Sequence, residues 1–136
     1  SGIFVEVIGK SGITDKKFAL CESDEFIPGI FPISRNLDTF ALVLPKAISI
    51  FSDDEITGLI AHEIAHTKKP FLNGGKTVEL MTDLQAAEWV GSETIVMALR
   101  ATLRHINRFP KWQQDLGRHS LQYRINALVY GLYEVY

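Results

Sequence analysis

Cysteine is nearly absent from this 136-residue chain, with Cys21 the single example. One thiol excludes an intramolecular disulfide framework and a thiolate cage for a structural zinc, and it suits a reducing compartment. A surplus of either charge is also missing. There are 14 Lys and Arg against 16 Asp and Glu, a formal net charge of -2, and the pI is near 6.1. That balance gives no electrostatic footprint for nucleic acid, and the pairs Lys16-Lys17 and Lys68-Lys69 read as solvated surface. Long apolar runs are lacking too. The richest stretch, Phe40 to Phe51, is broken by Pro45, Lys46 and Ser49, whereas a membrane span needs roughly 18 to 20 uninterrupted apolar residues. The chain opens Ser1-Gly2 without a methionine, as a processed or an engineered start does. No basic segment followed by an apolar block marks a secretory signal. These absences together predict a soluble, cytoplasmic protein.

What is present suits one globular domain over residues 1–136: 46% hydrophobic and 22% charged residues, with enough chain to bury a core. The first half reads as strands. Ile3 to Ile8 is rich in β-branched and aromatic residues and stops at Gly9, and Phe18 to Cys21 can return beside it. Phe26 to Asn36 holds Pro28, Gly29 and Pro32 and reads as loop. Thr39 to Leu44 is a third strand, closed by Pro45. From residue 52 the pattern turns helical. Ser52 and Glu55 form a capping box, and Asp53 and Asp54 suit the positive end of a helix dipole. The spacing predicts helices over about 53–67, 77–90, 92–107 and 119–130, with Pro70, Gly91 and Pro110 as breaks. Strands first and helices after give an α+β class.

The chemistry lies in His62-Glu63-Ile64-Ala65-His66. Residues four apart share a helix face, so both imidazoles can reach one metal ion. Glu63 sits about 100° around the helix from His62, where it can flank the ion and take a proton from water. Two histidines and a glutamate in an otherwise apolar helix need a partner to offset their burial. Catalytic zinc keeps three protein ligands, and Glu79 and Asp83 are the next acidic pair. The turn at Asn73-Gly74-Gly75 lets a second helix fold back and bring Glu79 to the ion. Asp83 would then accept a hydrogen bond from a histidine ring. Spacing alone leaves open whether these two are ligand and support or a solvated acidic stripe.

The chain resembles the gluzincin metallopeptidases, in the branch that contains the CAAX prenyl proteases and the bacterial heat-shock membrane proteases. It is most similar to the small soluble archaeal relatives of that branch, the minigluzincins. Three stretches carry the likeness across about residues 35 to 128. The first runs from Arg35 through Phe51 to Glu55 into His62-Glu63-Ile64-Ala65-His66. The second is Glu79-x-x-x-Asp83 with Ala86-Ala87, Gly91, Ala98-Leu99 and Leu103. The third is Arg118 to Ile125 with Leu128, similar to the family's H-P-x-x-x-R-I-x-x-L. The resemblance implies a zincin-type domain with Zn2+ bound by His62, His66 and Glu79. It implies that Thr39 to Leu44 is an edge strand aligning an extended peptide, which strand addition permits. It further implies that His119 faces the cleft and stabilises the oxyanion, and that Arg124 supports the site or binds substrate. The alternatives are a structural contact for His119 at a helix start and a structural ion pair for Arg124. The sequence departs from the family in two places: His119 is followed by Ser120 rather than proline, and twelve residues separate His66 from Glu79 with no membrane spans. Prenylated or membrane-protein substrates are therefore not carried over.

The function implied is endopeptidase hydrolysis, with Glu63 as general base and a peptide or protein as the partner. The aromatic end, Tyr130 to Tyr136 with Glu134, either blocks a cleft, its own or a neighbour's in a homo-oligomer, and makes the chain a latent zymogen, or simply packs. A non-catalytic zinc-binding or interaction module is the rival from another class. A di-iron bundle fails because no second E-x-x-H is present. His105 reads as packing. Phe71, Trp89 and Trp112 either line a subsite or fill the core.

Overall fold

The computed structural model describes residues 2–69 and 75–131. The elements are α1 (Gly2–Ser11), β1 (Lys17–Ser23), β2 (Gly29–Pro32), β3 (Thr39–Pro45), α2 (Asp53–His66), α3 (Lys76–Val90), α4 (Ser92–Arg104) and α5 (Lys111–Tyr130). Short 3-10 turns at Lys46–Ile50 and Ile106–Arg108 join them. The α+β class holds, with a small mixed sheet, a helix bearing His62, Glu63 and His66, a helix bearing Glu79, and two helices after it.

The segment Ile3 to Ile8, expected as a strand, is helical. Phe4 and Val7 are buried, Ile3 and Ile8 pack partly against the core, and Val5 is 68% exposed. Apolar residues at 3, 4, 7 and 8 form one helical stripe, and helical period overrides the β-propensity of isoleucine and valine. Glu6 and Lys10, one turn apart, pair at 3.2 Å on the outer face.

The sheet order is β1-β3-β2, with β1 parallel and β2 antiparallel to β3. The strand at Thr39 to Leu44 is therefore central, which corrects its expected edge position. Its residues show why: Phe40 and Leu42 are 2% and 0% exposed, and Leu44 and Pro45 are also buried. A strand this apolar is stable where both of its edges are paired. β2 arises inside the segment expected to be loop. It is an edge strand that ends in Pro32 opposite Phe40, and an edge is where a residue without an N–H is tolerated.

Helix α2 starts on its capping box. The Glu55 N–H donates to Ser52 Oγ at 3.2 Å, and the Ser52 N–H donates to Glu55 Oε1 at 2.9 Å. Glu55 also receives Arg104 Nη2 at 2.8 Å, tying α2 to the end of α4. The two helices cross at Gly58. A Cβ there would lie 2.6 Å from Ala98 Cβ and 2.7 Å from the Thr94 carbonyl oxygen. That close approach seats Ile60 and Ile64 in a core shared with Ile95, Leu99, Leu121 and Ile125.

Helix α4 stops at Arg104 rather than near 107, and α5 begins eight residues before the expected 119. The first turns of α5 hide from a periodicity argument because Trp112 and Leu116 are both 73% exposed and face no core. Gly117 lets this helix pass close to Ile106, whose Cδ1 would stand 3.1 Å from an added Cβ. No helix among the described residues is long and apolar enough to cross a membrane. The terminal segment suspected of blocking a cleft lies, beyond Gly131, outside the described residues, as do Pro70 and Phe71.

Candidate metal centre

Three helices meet at the base of a cleft of about 930 Å³. From α2, His62, Glu63 and His66 face it; Glu79 and Asp83 come from α3; His119 and Arg124 come from α5. Among the described residues, His62, His66 and Glu79 are the group of histidine, cysteine and acidic side chains placed to share a metal ion.

The distances state the chemistry. His62 Nε2 lies 2.8 Å from Glu79 Oε2 and 3.0 Å from His66 Nε2, and His66 Nε2 lies 3.4 Å from Glu79 Oε1. Four-coordinate zinc with arms near 2.1 Å would separate its ligand atoms by about 3.4 Å, so the three atoms already stand near that spacing. On the far side of the His62 ring, Nδ1 is 2.7 Å from Asp83 Oδ1. Arg124 grips the same carboxylate with Nε to Oδ2 at 2.6 Å and Nη2 to Oδ1 at 2.9 Å. Asp83 is 0% exposed and Arg124 8%. A guanidinium fork against a carboxylate keeps that carboxylate ionised. Asp83 thus accepts from His62, and His62 Nδ1 carries the proton.

The tautomer has a consequence on the near side. With its proton on Nδ1, His62 presents a lone pair at Nε2, toward a carboxylate oxygen and a second imidazole nitrogen. Three acceptors turned on one another repel unless a cation sits among them. The titration behaviour follows the same demand. Burial alone lowers the His62 pKa, but the hydrogen bonds to Asp83 and Glu79 outweigh it and raise it to about 9. Burial pushes Glu79 upward, yet its contacts with His62 and His66 hold it far below the usual carboxylate range. Asp83 is likewise held below its ordinary value, its burial outweighed by Arg124 and His62. Either a proton or a metal satisfies this pocket, and the ligand set of two imidazoles and one carboxylate is one that zinc takes. The His62, His66 and Glu79 cluster is geometrically suited to coordinate Zn2+.

Glu63 is half-buried beside these ligands. Its burial raises the carboxyl above the ordinary value, against the opposing pull of His62 and His66. A carboxylate made more basic in this way suits proton abstraction.

The expected site residues therefore come together in one cleft. His119 is exposed on its wall, with Ser120 beside it. Arg124 forms the ion pair with Asp83. His105 packs edge-on against Phe51 at 5.5 Å between ring centroids, as a packing histidine does. Trp89 packs partly against the core, whereas Trp112 lines the cleft. Sequence reasoning missed the rim made by Ile27 to Pro32, the cleft wall at Leu116, and Lys76, which lies over the Tyr123 ring at 4.8 Å. The prolines that concealed β2 are compatible with an edge strand, and for Lys76 no local signal exists.

Comparisons with family models, with curated proteins and with solved structures returned no match. The H-E-x-x-H helix, the glutamate helix packed beside it and the α+β scaffold are consistent with a gluzincin-type metallopeptidase domain. The half-buried ligand triad in its cleft supports zinc-dependent hydrolysis.

Proposed function

We propose that this chain is a cytoplasmic zinc endopeptidase of the soluble minigluzincin type, a single catalytic domain over residues 1–136. The observation that carries the reading is the convergence of His62, His66 and Glu79, at 2.8 to 3.4 Å, beside Glu63 in an open cleft.

In this reading His62, His66 and Glu79 hold the ion, and Asp83, clamped by Arg124, orients His62 as such carboxylates do. Bound zinc supplies Lewis acidity, polarising the scissile carbonyl and acidifying a water. Glu63 removes a proton from the attacking water and returns it to the leaving amine. His119 donates to the oxygen on which negative charge develops. The substrate lies extended against β2, which lines the cleft and whose edge away from β3 is unpaired among the described residues, so it offers backbone groups for strand addition. Phe31, Trp112 and Leu116, all exposed and all lining the cleft, suit apolar substrate side chains.

The test is hydrolysis of a mixed library of quenched peptides by the zinc-loaded protein, with Glu63→Gln alongside. The expected outcome is cleavage that chelation and Glu63→Gln both abolish, in a variant that still binds one zinc. The substitution removes general-base catalysis, a loss of about 10²–10⁴-fold. His62→Ala and His66→Ala lose both cleavage and stoichiometric zinc. Full activity in Glu63→Gln would sink the assignment.

A further inference from the structure

The charges along the cleft do not cancel evenly. Glu63, Glu79 and Asp83 line it, and so do Lys69, Lys76 and Arg124. Arg124 is neutralised by Asp83, while Glu63 and Glu79 offset a divalent ion. The two lysines have no acidic partner among the described residues. Lys69 is exposed in the turn just after α2, and Lys76 is half-buried in the first turn of α3. Lys76 is also held in place: its ammonium lies 4.8 Å from the centroid of the Tyr123 ring. A cation over a tyrosine face loses freedom, so less ordering entropy opposes a second contact.

We propose that Lys76, assisted by Lys69, selects peptides that carry a carboxylate close to the scissile bond. This inference rests on the peptidase reading and deepens it. Lys76 stands one helical turn before Glu79, about 4.5 Å along the axis of α3. An extended peptide advances about 3.3 Å per residue, so the carboxylate falls within about two or three residues of the bond cleaved. Its source is either an internal Asp or Glu side chain or the peptide's own C-terminus. Both have the chemistry an ammonium recognises. A positively charged residue at the same place meets like charge and is disfavoured.

Binding separates this from catalysis. Fluorescein-labelled, amidated octapeptides carrying one Glu, Gln or Lys walked along an alanine-leucine background are titrated by anisotropy against zinc-loaded Glu63→Gln protein. An all-Gln peptide with a free C-terminal carboxylate forms the second arm. At one or two positions Glu is expected to bind about three- to tenfold tighter than Gln, with Lys weaker still. The preference weakens in high salt, disappears in Lys76→Gln and reverses in Lys76→Glu, while the Gln peptide binds all three proteins alike. Tighter binding only in the free-acid arm assigns the contact to a peptide C-terminus. Equal binding of the Glu, Gln and Lys peptides with no gain from a free C-terminal carboxylate overturns the Lys76 assignment and leaves the peptidase reading standing, as does a preference that survives Lys76→Glu. Failure of every peptide to bind overturns both.

Discussion

Replacing Asp83 with alanine strikes the point where stability and metal binding meet. Asp83 is fully buried, accepts two hydrogen bonds from Arg124 at 2.6 and 2.9 Å, and accepts a third from His62 at 2.7 Å. Its removal leaves the buried Arg124 guanidinium without its hydrogen-bonded carboxylate, with only the looser contact to Glu79 at 3.9 Å remaining. Breaking one side of a buried pair costs about 3–5 kcal/mol. With Arg124 only 8% exposed, solvent screens little of that. A domain of this size has about 5–15 kcal/mol in hand, so the metal-free variant should lose a large share of its stability. The His62 ring also loses the acceptor that fixes its tautomer, and zinc affinity should fall about 10–100-fold. Urea unfolding followed by circular dichroism in chelator reads the first loss. Competition with a chromogenic zinc chelator reads the second. Arg124→Met supplies the control: the double variant removes both charges and should recover about half of the stability lost by Asp83→Ala. A loss below about 1 kcal/mol, with additive behaviour in the double variant and unchanged zinc affinity, would refute the reasoning.

The pH dependence has a definite sign. In the metal-free protein His62 is protonated up to about 9, and zinc must displace that proton from Nε2. Apparent zinc affinity should therefore rise about tenfold per pH unit between pH 6.5 and 9, with one proton released, as calorimetry in buffers of different ionisation enthalpy reports; affinity that is flat across this range counts against the tautomer assignment. Without metal, the raised pKa stabilises the fold fully below the ordinary 6.5, and that contribution is lost as pH climbs through about 9, so the chelator-treated protein should melt progressively lower over that window. Gly58→Ala gains about 1 kcal/mol of helix propensity, but it forces a methyl to within 2.6 Å of Ala98 Cβ and 2.7 Å of a backbone carbonyl. Overpacking of about 1–3 kcal/mol should win; an unchanged or higher melting temperature would show that α2 and α4 do not cross there.

The parts of this protein written locally were legible in the sequence. His62, Glu63 and His66 declare themselves because a helix of fixed pitch places residues four apart on one face. Ser52 and Glu55 declare the start of that helix because a capping box closes over four residues. Gly91 marks the end of α3 because its φ of 93° suits glycine. Local pattern also misled where two periods compete. Six residues from Ile3 to Ile8 carry strand-like composition, and only packing against α2 and α3 selects the helical stripe.

Contacts between distant residues were decided by the tertiary structure alone. The sequence left Glu79 open between ligand and solvated stripe until family resemblance favoured one; the fold brings its carboxylate to His62 and His66 by packing α3 along α2. Arg124, 41 residues from Asp83 in the chain, becomes its buried partner only when α5 closes over α3. Strand order is equally non-local. Both β2 and β3 are short, and which of them borders the cleft depends on pairing energies summed across the whole sheet. The apolar β3 is buried between two neighbours, and β2, with its proline, takes the open edge. Helical pitch and capping act within one or two turns and can be read residue by residue. Edge position, ion pairing across helices and the gathering of the cleft lining arise from which surfaces meet, and no single segment encodes that.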